Sequence, residues 1–430
     1  MTAYVPRLLD TVLAEVLREL PAVLIVGPRG SGKTTTARRH APSTLRLDRP
    51  EVALAVAADP DVALAQFDGP VAIDEWQLVP EILGAVKRAV DEGAGAGRFI
   101  LTGSSQADLT AAGWPATGRV VRLALMPMCQ RELESCAADA GPLQRMFVGQ
   151  LANARPAHPA VDIAGYVERA LWGGLPGATV AASEAGRQRW LAGYVDQLVA
   201  RDVPLAGGRR DPVRLRRYLR SIAANLAGEV ELKTLIDAAT LDRSTALAYD
   251  DVLEHLLITE RLPAWSTNRL TRLSGRPKRH LVEPALVGPL LGVDRRGVLR
   301  DGDLLGRLLE SFVLAQLRAE LVTSEMTTQL FHLRDRNGEH EIDIIAERAD
   351  GAVVAIEVKA ASAPKHQDAR HLVWLRERLG DRFVSGVVLH AGEFAYPHSE
   401  RITFVPISSL WSGRPVAQPS AVSVALPGLA

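Results

Sequence analysis

The sequence predicts an α/β protein built from several units: a parallel-sheet nucleotide domain, a helical middle, and a second α/β domain toward the carboxyl end. Three observations carry this expectation. A glycine-rich stretch follows directly on the apolar run Ala22–Val26, short apolar strands then alternate with helical periods, and two strands near residues 341–359 carry an ordered set of carboxylates and a lysine. At 430 residues the chain is also too long for one ordinary core, so two or three domains are expected.

Taken in order, Gly27-Pro28-Arg29-Gly30-Ser31-Gly32-Lys33-Thr34 fits the phosphate-cradling loop G-x-x-x-x-G-K-[ST] in residue type and position. Glycines allow backbone N–H groups to turn inward around a β-phosphate, and the helix that follows adds its positive end. Lys33 would reach the β/γ oxygens and Thr34 would place its hydroxyl on Mg²⁺. The nucleotide contacts are assigned to Gly27, Pro28, Arg29, Gly30, Ser31, Gly32, Lys33, Thr34 and Thr35, and ATP with Mg²⁺ is the expected cofactor pair.

A short strand is expected over Thr44–Asp48, and another over Val71–Glu75. The second ends in two carboxylates: Asp74 would hold the Mg²⁺ shell and Glu75 would orient and polarise the attacking water. A helix over Leu78–Glu92 leads to the strand Arg98–Ser105, which ends in small polar residues and offers Thr102 or Ser104 as the sensor of the γ-phosphate. Strands alternating with helices indicate a doubly wound parallel sheet with its ligand at the carboxyl ends of the strands. Arg119 precedes a further strand, where it would serve as an arginine finger in its own subunit or a neighbour's, or stand as an ordinary surface residue.

From about Leu143 to Leu291 helical periods dominate. Glu231–Ala238 and Asp242–Leu257 read as two helices joined by a short turn, with Asp242 as the cap of the second and Ile258–Trp265 as a wing, the helix-turn-helix layout of a nucleic-acid binder. The face expected to be exposed carries Asp250, Asp251 and Glu254, which is poor for approaching phosphates and leaves a structural or regulatory role open. Basic residues gather instead at Arg209, Arg210, Arg214, Arg216, Arg217 and Arg220, and at Arg269, Arg272, Arg276, Lys278 and Arg279, as a nucleic-acid surface or as solvated faces.

In the last third, Asp303–Glu320 is an amphipathic helix containing Glu310 and precedes a strand at Gln329–Arg334. Gly338–Ile345 and Val353–Lys359 alternate polar and apolar residues as paired strands do, placing Glu357 and Lys359 on one face. A helix over Asp368–Leu379 and a strand over Phe383–Leu389 complete the layout.

Composition narrows the partners. Fifty basic and fifty acidic residues leave no net charge, so no global field draws the chain to nucleic acid or to a membrane surface. Only six of the basic residues are lysines, which discounts arginine clusters and raises the weight of Lys33 and Lys359, both of which stand where a motif demands lysine. Cys129 and Cys136 form neither a C-x-x-C pair nor a disulfide framework. Met1–Asp10 lacks the features of a signal peptide, and no apolar run reaches the roughly 20 residues of a membrane span, so a soluble cytoplasmic protein is expected.

The succession PRLLD, GPRGSGKT, IDEWQ, LTGSS, GRV and RWLAGYVDQLVARDV resembles the prokaryotic family of AAA-like ATPases fused to a C-terminal domain of unknown function, with Trp76 in place of the usual aliphatic residue. That resemblance implies a P-loop AAA-like domain over residues 1–140, a helical region with a winged-helix-like module over 141–295, a restriction-endonuclease-like domain over 296–415 and a tail over 416–430. It includes the pair Arg201-Asp202, which closes one helix. The last domain is similar to the PD-(D/E)XK nuclease core. Asp343 and Glu357 would bind Mg²⁺ or Mn²⁺ with Glu310 completing the shell, and Lys359 would activate a water or stabilise the pentavalent phosphate. The function expected is ATP hydrolysis coupled to action on nucleic acid, DNA first, as a homo-oligomer if Arg119 acts in trans. The rival is a nucleotide switch whose nuclease-like domain is an inactive binding module. A small-molecule kinase, which also uses a phosphate loop, sits poorly with the chain length and the paired C-terminal motif.

Overall fold

A short run without a single polar side chain, such as Ala22–Val26, suits a strand covered on both faces. The computed structural model describes residues 4–103, 118–136, 140–151, 160–202, 211–324, 326–335 and 338–412. In it this run is the buried strand β1 (Ala22–Val26) of a five-stranded parallel sheet. The other strands are β2 (Ser43–Arg46), β3 (Val71–Asp74), β4 (Phe99–Thr102) and β5 (Val121–Ala124), in the order β2-β3-β4-β1-β5. Alternation splits the core in two. Leu24, Val26 and Ile73 pack with Ile82, Leu83 and Val86 on one face, and Val23, Ile25 and Ile100 pack with Leu9, Leu13 and Ala37 on the other. Because β4 lies between β1 and β3, Thr102 at its end pairs level with Asp74 and Ile25.

The middle of the chain is helical, with Pro212–Ala224 capped by Asp211 and Arg243–His255 capped by Asp242, whose carboxylate accepts the Thr245 amide. An antiparallel hairpin of β6 (Thr259–Leu262) and β7 (Lys278–Leu281) follows. The side chains of Arg201 and Asp202, all of residues 203–210, and the tail 416–430 lie outside what the structure describes. Two expectations need correction here. Asp250 is not on an exposed face: it is 1% exposed and accepts a bidentate pair from Arg279 (2.6 and 2.7 Å) and a hydrogen bond from the Tyr218 hydroxyl (2.7 Å). The second basic group does not form one surface patch: Lys278 and Arg279 lie on β7, which is buried along its length, while Arg269 and Arg276 remain exposed. Arg279 is held by Asp250, Lys278 by carboxylates described below, Arg272 by Glu347 and Arg276 by Glu231 (3.1 Å).

The last unit is a six-stranded mixed sheet of β8 (Thr328–Arg334), β9 (Glu341–Arg348), β10 (Val353–Lys359), β11 (Phe383–His390), β12 (Tyr396–Ser399) and β13 (Ile402–Pro406), in the order β12-β13-β11-β10-β9-β8. Ile344, Val354 and Ile356 face the helix Gly302–Glu320, through Leu308, Leu309 and Phe312. Ile345, Val353 and Ala355 face the helix Arg370–Leu379, through Leu372 and Leu375. The first of these cores continues without a break into the middle helices, taking in Leu219, Ile222 and Leu253. The edge strand β8 is covered where the Trp265 amide bonds the His332 carbonyl (2.6 Å) and the His332 amide bonds the Pro263 carbonyl (3.0 Å), which removes the unpaired edge that strands must otherwise hide.

Three histidines in these cores carry a consequence for pH. Burial lowers His332 and His390 to about 4 and His280 well below the usual imidazole range. The unfolded chain takes up those protons near pH 6.5 and the fold refuses them, so stability present at neutral pH is lost as pH falls from about 6.5 toward 4. The slope reaches about 1.4 kcal/mol per pH unit for each histidine. His390→Asn retains an acceptor for the Gly392 amide (3.0 Å) and is expected to flatten that slope by one histidine's share in urea melts run at successive pH values.

Candidate functional site

β1 delivers the chain into the phosphate loop at the carboxyl edge of the sheet. Gly32 caps the following helix Lys33–His40 with φ of 102°, in the left-handed region, and a Cβ at Gly27 would lie 2.1 Å from the Leu125 carbonyl, where β5 ends. Lys33 is 6% exposed, and its ammonium donates to the Gly27 and Pro28 carbonyls at 2.9 Å each. Burial lowers its pKa to about 8, with Glu75 and Asp74 pulling the other way. The Thr34 hydroxyl (2.7 Å) and the Thr102 hydroxyl (2.5 Å) both donate to one Asp74 oxygen. Hard oxygens from Thr34 and Asp74 thus stand together beside the phosphate loop, and that donor set fits Mg²⁺.

Glu75 follows with φ of 58°, unusual for a residue with a side chain, and its carboxylate accepts a hydrogen bond from the Gln77 side-chain Nε2. Thr35 is exposed on the first turn of the helix. Ser104 lies outside the described residues, so of the two sensor candidates Thr102 is the one placed, at Asp74. Of the readings open for Arg119, the structure speaks against the finger in its own subunit: β5 pairs Val121 with Val23, near the start of β1, so Arg119 lies at the amino edge, paired with Asp91 (2.9 Å). At about 3.3 Å per strand residue, the length of the sheet separates it from a phosphate held in its own subunit's loop.

The loop is tied to the rest of the molecule from two sides. Arg7 donates to the Ser31 and Met126 carbonyls (2.7 Å each) and pairs with Glu132 (3.1 Å), which also accepts the Leu8 amide (2.7 Å) and the Cys129 amide (3.0 Å). The residues preceding Glu132 reach the helix Gly302–Glu320: the Gln130 amide donates to Gln316 (2.7 Å) and Arg131 pairs with Glu320 (2.5 Å), all buried. From the middle helices, the Tyr194 hydroxyl donates to the Arg29 carbonyl (2.9 Å).

The second constellation lies where β9 and β10 run antiparallel, with Asp343 at the start of β9 meeting Glu357 and Lys359 at the end of β10. Asp343 accepts the Val358 amide (2.8 Å), and Lys359 pairs with Glu357 (2.8 Å), whose other oxygen is buried without a partner. Glu310 comes from the helix opposite. Sequence reasoning missed the group that joins them. Lys278 of β7 is 2% exposed and its ammonium lies 2.9 Å from Glu310, 3.2 Å from Glu341 and 3.5 Å from Asp343. The scarcity of lysine that marked Lys33 and Lys359 applied equally to it. Burial alone would lower Lys278, but the three carboxylates hold it above its usual range. Glu310 is raised to about 8 by burial and by Asp343, Glu357 is raised well above its usual range for the same reasons, and Asp343 is lowered against its burial by Lys278 and Lys359.

An open cavity of about 680 Å³, lined by Glu229, Arg307, Arg334, Glu341, Asp343 and Lys359, leads to this centre. The expected metal set Glu310, Asp343 and Glu357 does not converge. Among the described residues, the set of three carboxylate or imidazole ligand atoms within 4.8 Å of one another is Asp335, Glu339 and His340, at the β8–β9 turn. An ammonium stands where a shared ion would draw Glu310 and Asp343 together, so in this arrangement the donors do not fit a divalent metal.

Comparison with known proteins divides the chain along the same lines. Residues 19–134 match an AAA domain, 163–297 a domain of unknown function (DUF8612) and 305–410 a domain of unknown function (DUF4143). Uncharacterized proteins of Mycobacterium tuberculosis and Mycobacterium bovis are each 29% identical over 407 residues, covering 93% of this chain and 82% of the relative. Among solved structures, a Walker-type ATPase of Pyrococcus abyssi superposes with a TM-score of 0.37 at 16% identity, covering 66% of this chain and 94% of that one. AMPPCP-bound DnaA from Aquifex aeolicus does so with 0.25 at 12%, covering 59% and 89%. No helix among the described residues is long and apolar enough to cross a membrane. The amino-terminal unit is an AAA-like P-loop ATPase domain, and the chain as a whole is α/β, with a mixed-sheet unit at its carboxyl end.

Proposed function

We propose that this chain binds and hydrolyses ATP and acts on nucleic acid, with its nucleotide state coupled to a nuclease-like C-terminal unit. In this reading Lys33 and the loop glycines hold the triphosphate, Thr34 and Asp74 hold Mg²⁺, Thr102 fixes Asp74, and Glu75 aligns the attacking water. The observation that carries the coupling is the buried run of polar contacts from Ser31 through Arg7 and Glu132 to Gln316 and Glu320, on the same helix as Glu310. A buried pair of this kind ties its two elements together because separating them strands a charge in a low-dielectric interior.

Asp343 and Lys359 on the wall of the open cavity, with Glu357 buried beside them, support this reading by residue type and placement. The second reading, an inactive binding module driven by the ATPase, is favoured by one observation: Lys278 among the carboxylates. Cleavage of single- and double-stranded DNA and RNA with Mg²⁺ or Mn²⁺, with and without ATP, separates the two. Cutting that Asp343→Ala abolishes while ATP turnover persists supports the nuclease; no cutting under any condition leaves the switch.

Two further outcomes are expected. Glu75→Gln is expected to retain ATP binding and slow hydrolysis about a hundred- to ten-thousand-fold, read as steady-state phosphate release beside nucleotide affinity; wild-type turnover in this variant would remove Glu75 from the mechanism. Arg131→Met leaves Glu320 buried without its cation and is expected to destabilise by about 3–5 kcal/mol. Burial raises Glu320 to about 7 even with Arg131 pulling it down. The variant's penalty is therefore smallest near pH 5, where the carboxyl carries its proton, and grows toward pH 8; a penalty independent of pH would contradict this account of the pair.

A further inference from the structure

We propose that Lys278 is the built-in cation of the C-terminal carboxylate centre, and that its ammonium and a divalent metal ion are mutually exclusive occupants of the space between Glu310 and Asp343. The inference uses the nuclease-like reading only to choose the ion.

Strand alternation aims the lysine. On β7, Lys278 and His280 point to the helix Gly302–Glu320 while Arg279 points the opposite way, into the middle unit. Arg279 is locked by its bidentate pair with Asp250 (2.6 and 2.7 Å), and His280 meets the Ser311 hydroxyl (2.8 Å). With the backbone fixed on either side, the ammonium is delivered to Glu310 Oε1 and Asp343 Oδ1. These are the oxygens a metal would need, because the other oxygen of Asp343 is already bound to the Val358 amide (2.8 Å). A metal ion requires oxygens at about 2.0–2.6 Å, and such an ion between Glu310 Oε1 and Asp343 Oδ1 would lie against the ammonium that already contacts both oxygens. The centre is thus neutralised from within the chain, by a residue of the β6–β7 hairpin rather than of the sheet that carries the acids. A centre of this kind takes up metal only when β7 withdraws.

Mn²⁺ binding to the full-length, nucleotide-free protein, followed by the electron paramagnetic resonance of the free ion, tests the competition. Wild type is expected to match Asp343→Asn, with no Asp343-dependent uptake. Lys278→Met is expected to bind Mn²⁺ at least tenfold more tightly than wild type, and the double variant with Asp343→Asn to lose that gain. A Lys278→Met protein that folds and gains nothing, or a gain that survives Asp343→Asn, overturns the proposal.

Since Lys278→Met leaves buried acids without their cation and folding itself is at risk, wild type supplies a second test. The lysines are acetylated with and without Mn²⁺ and mapped by mass spectrometry. Lys278 is expected to resist the reagent at every Mn²⁺ concentration at which wild type shows no Asp343-dependent uptake, and to become reactive wherever such uptake begins. Asp343-dependent Mn²⁺ uptake with Lys278 still protected would mean joint occupancy and sink the idea. Absence of nuclease activity would remove the reading above without touching either measurement.

Discussion

The arrangement of the two constellations depends on ion pairs buried along one helix, Gly302–Glu320. At its carboxyl end Glu320 holds Arg131 and Gln316 holds the Gln130 amide, which fixes the ATPase domain to it. At its centre Glu310 holds Lys278 and Ser311 meets His280, which fixes the β6–β7 hairpin to it. Its apolar face meanwhile packs on the C-terminal sheet through Leu308, Leu309 and Phe312. Hydrophobic contact alone would leave such a helix free to slide, since apolar side chains accept many registers. Buried charges do not, because each shifted register strands an ion at a cost of several kcal/mol. The pairs therefore set which residue stands where, and the apolar core supplies the bulk of the stabilisation.

What the sequence made legible follows from range. The phosphate loop, the strand ending in Asp74-Glu75 and the pair of strands with Asp343, Glu357 and Lys359 were read correctly as elements because their signals are local: an apolar run, a turn, an alternation. The sequence leaves Arg119 open because the direction of β5 relative to β1 is a property of the sheet, and a parallel neighbour carries its preceding residues to the edge away from the loop. The strand β12, with its Tyr396-Pro397-His398-Ser399, offers almost no strand signal and forms at an edge, where a missing amide is tolerated.

The misreading of β7 has a different origin. Lys278-Arg279-His280 looks like a solvated basic run, and by composition alone it should be one. Its partners lie 29 residues back at Asp250 and 31 to 65 residues ahead at Ser311, Glu310 and Asp343. No window on the sequence contains both halves of these pairs. The one local clue was residue type, since a lysine in a chain that nearly always uses arginine marks a place where a compact ammonium is wanted.

The two ties on the phosphate loop bear on how nucleotide is sensed. A peptide unit is planar, so the carbonyl of one residue and the N–H of the next point in opposite directions and turn together. Arg7 holds the Ser31 carbonyl and Tyr194 holds the Arg29 carbonyl, so the N–H groups coupled to them are those of Gly32 and Gly30. These are amides a phosphate loop turns toward its ligand. Any rotation that brings them onto a phosphate must move the two carbonyls, and with them either Arg7 and its partner Glu132 or the helix that carries Tyr194. Glycine at both positions, each with positive φ, makes that rotation available. The loop is therefore connected to the helix Gly302–Glu320 through Arg7 and to the middle helices through Tyr194, and a rotation of its peptide planes would pull on both.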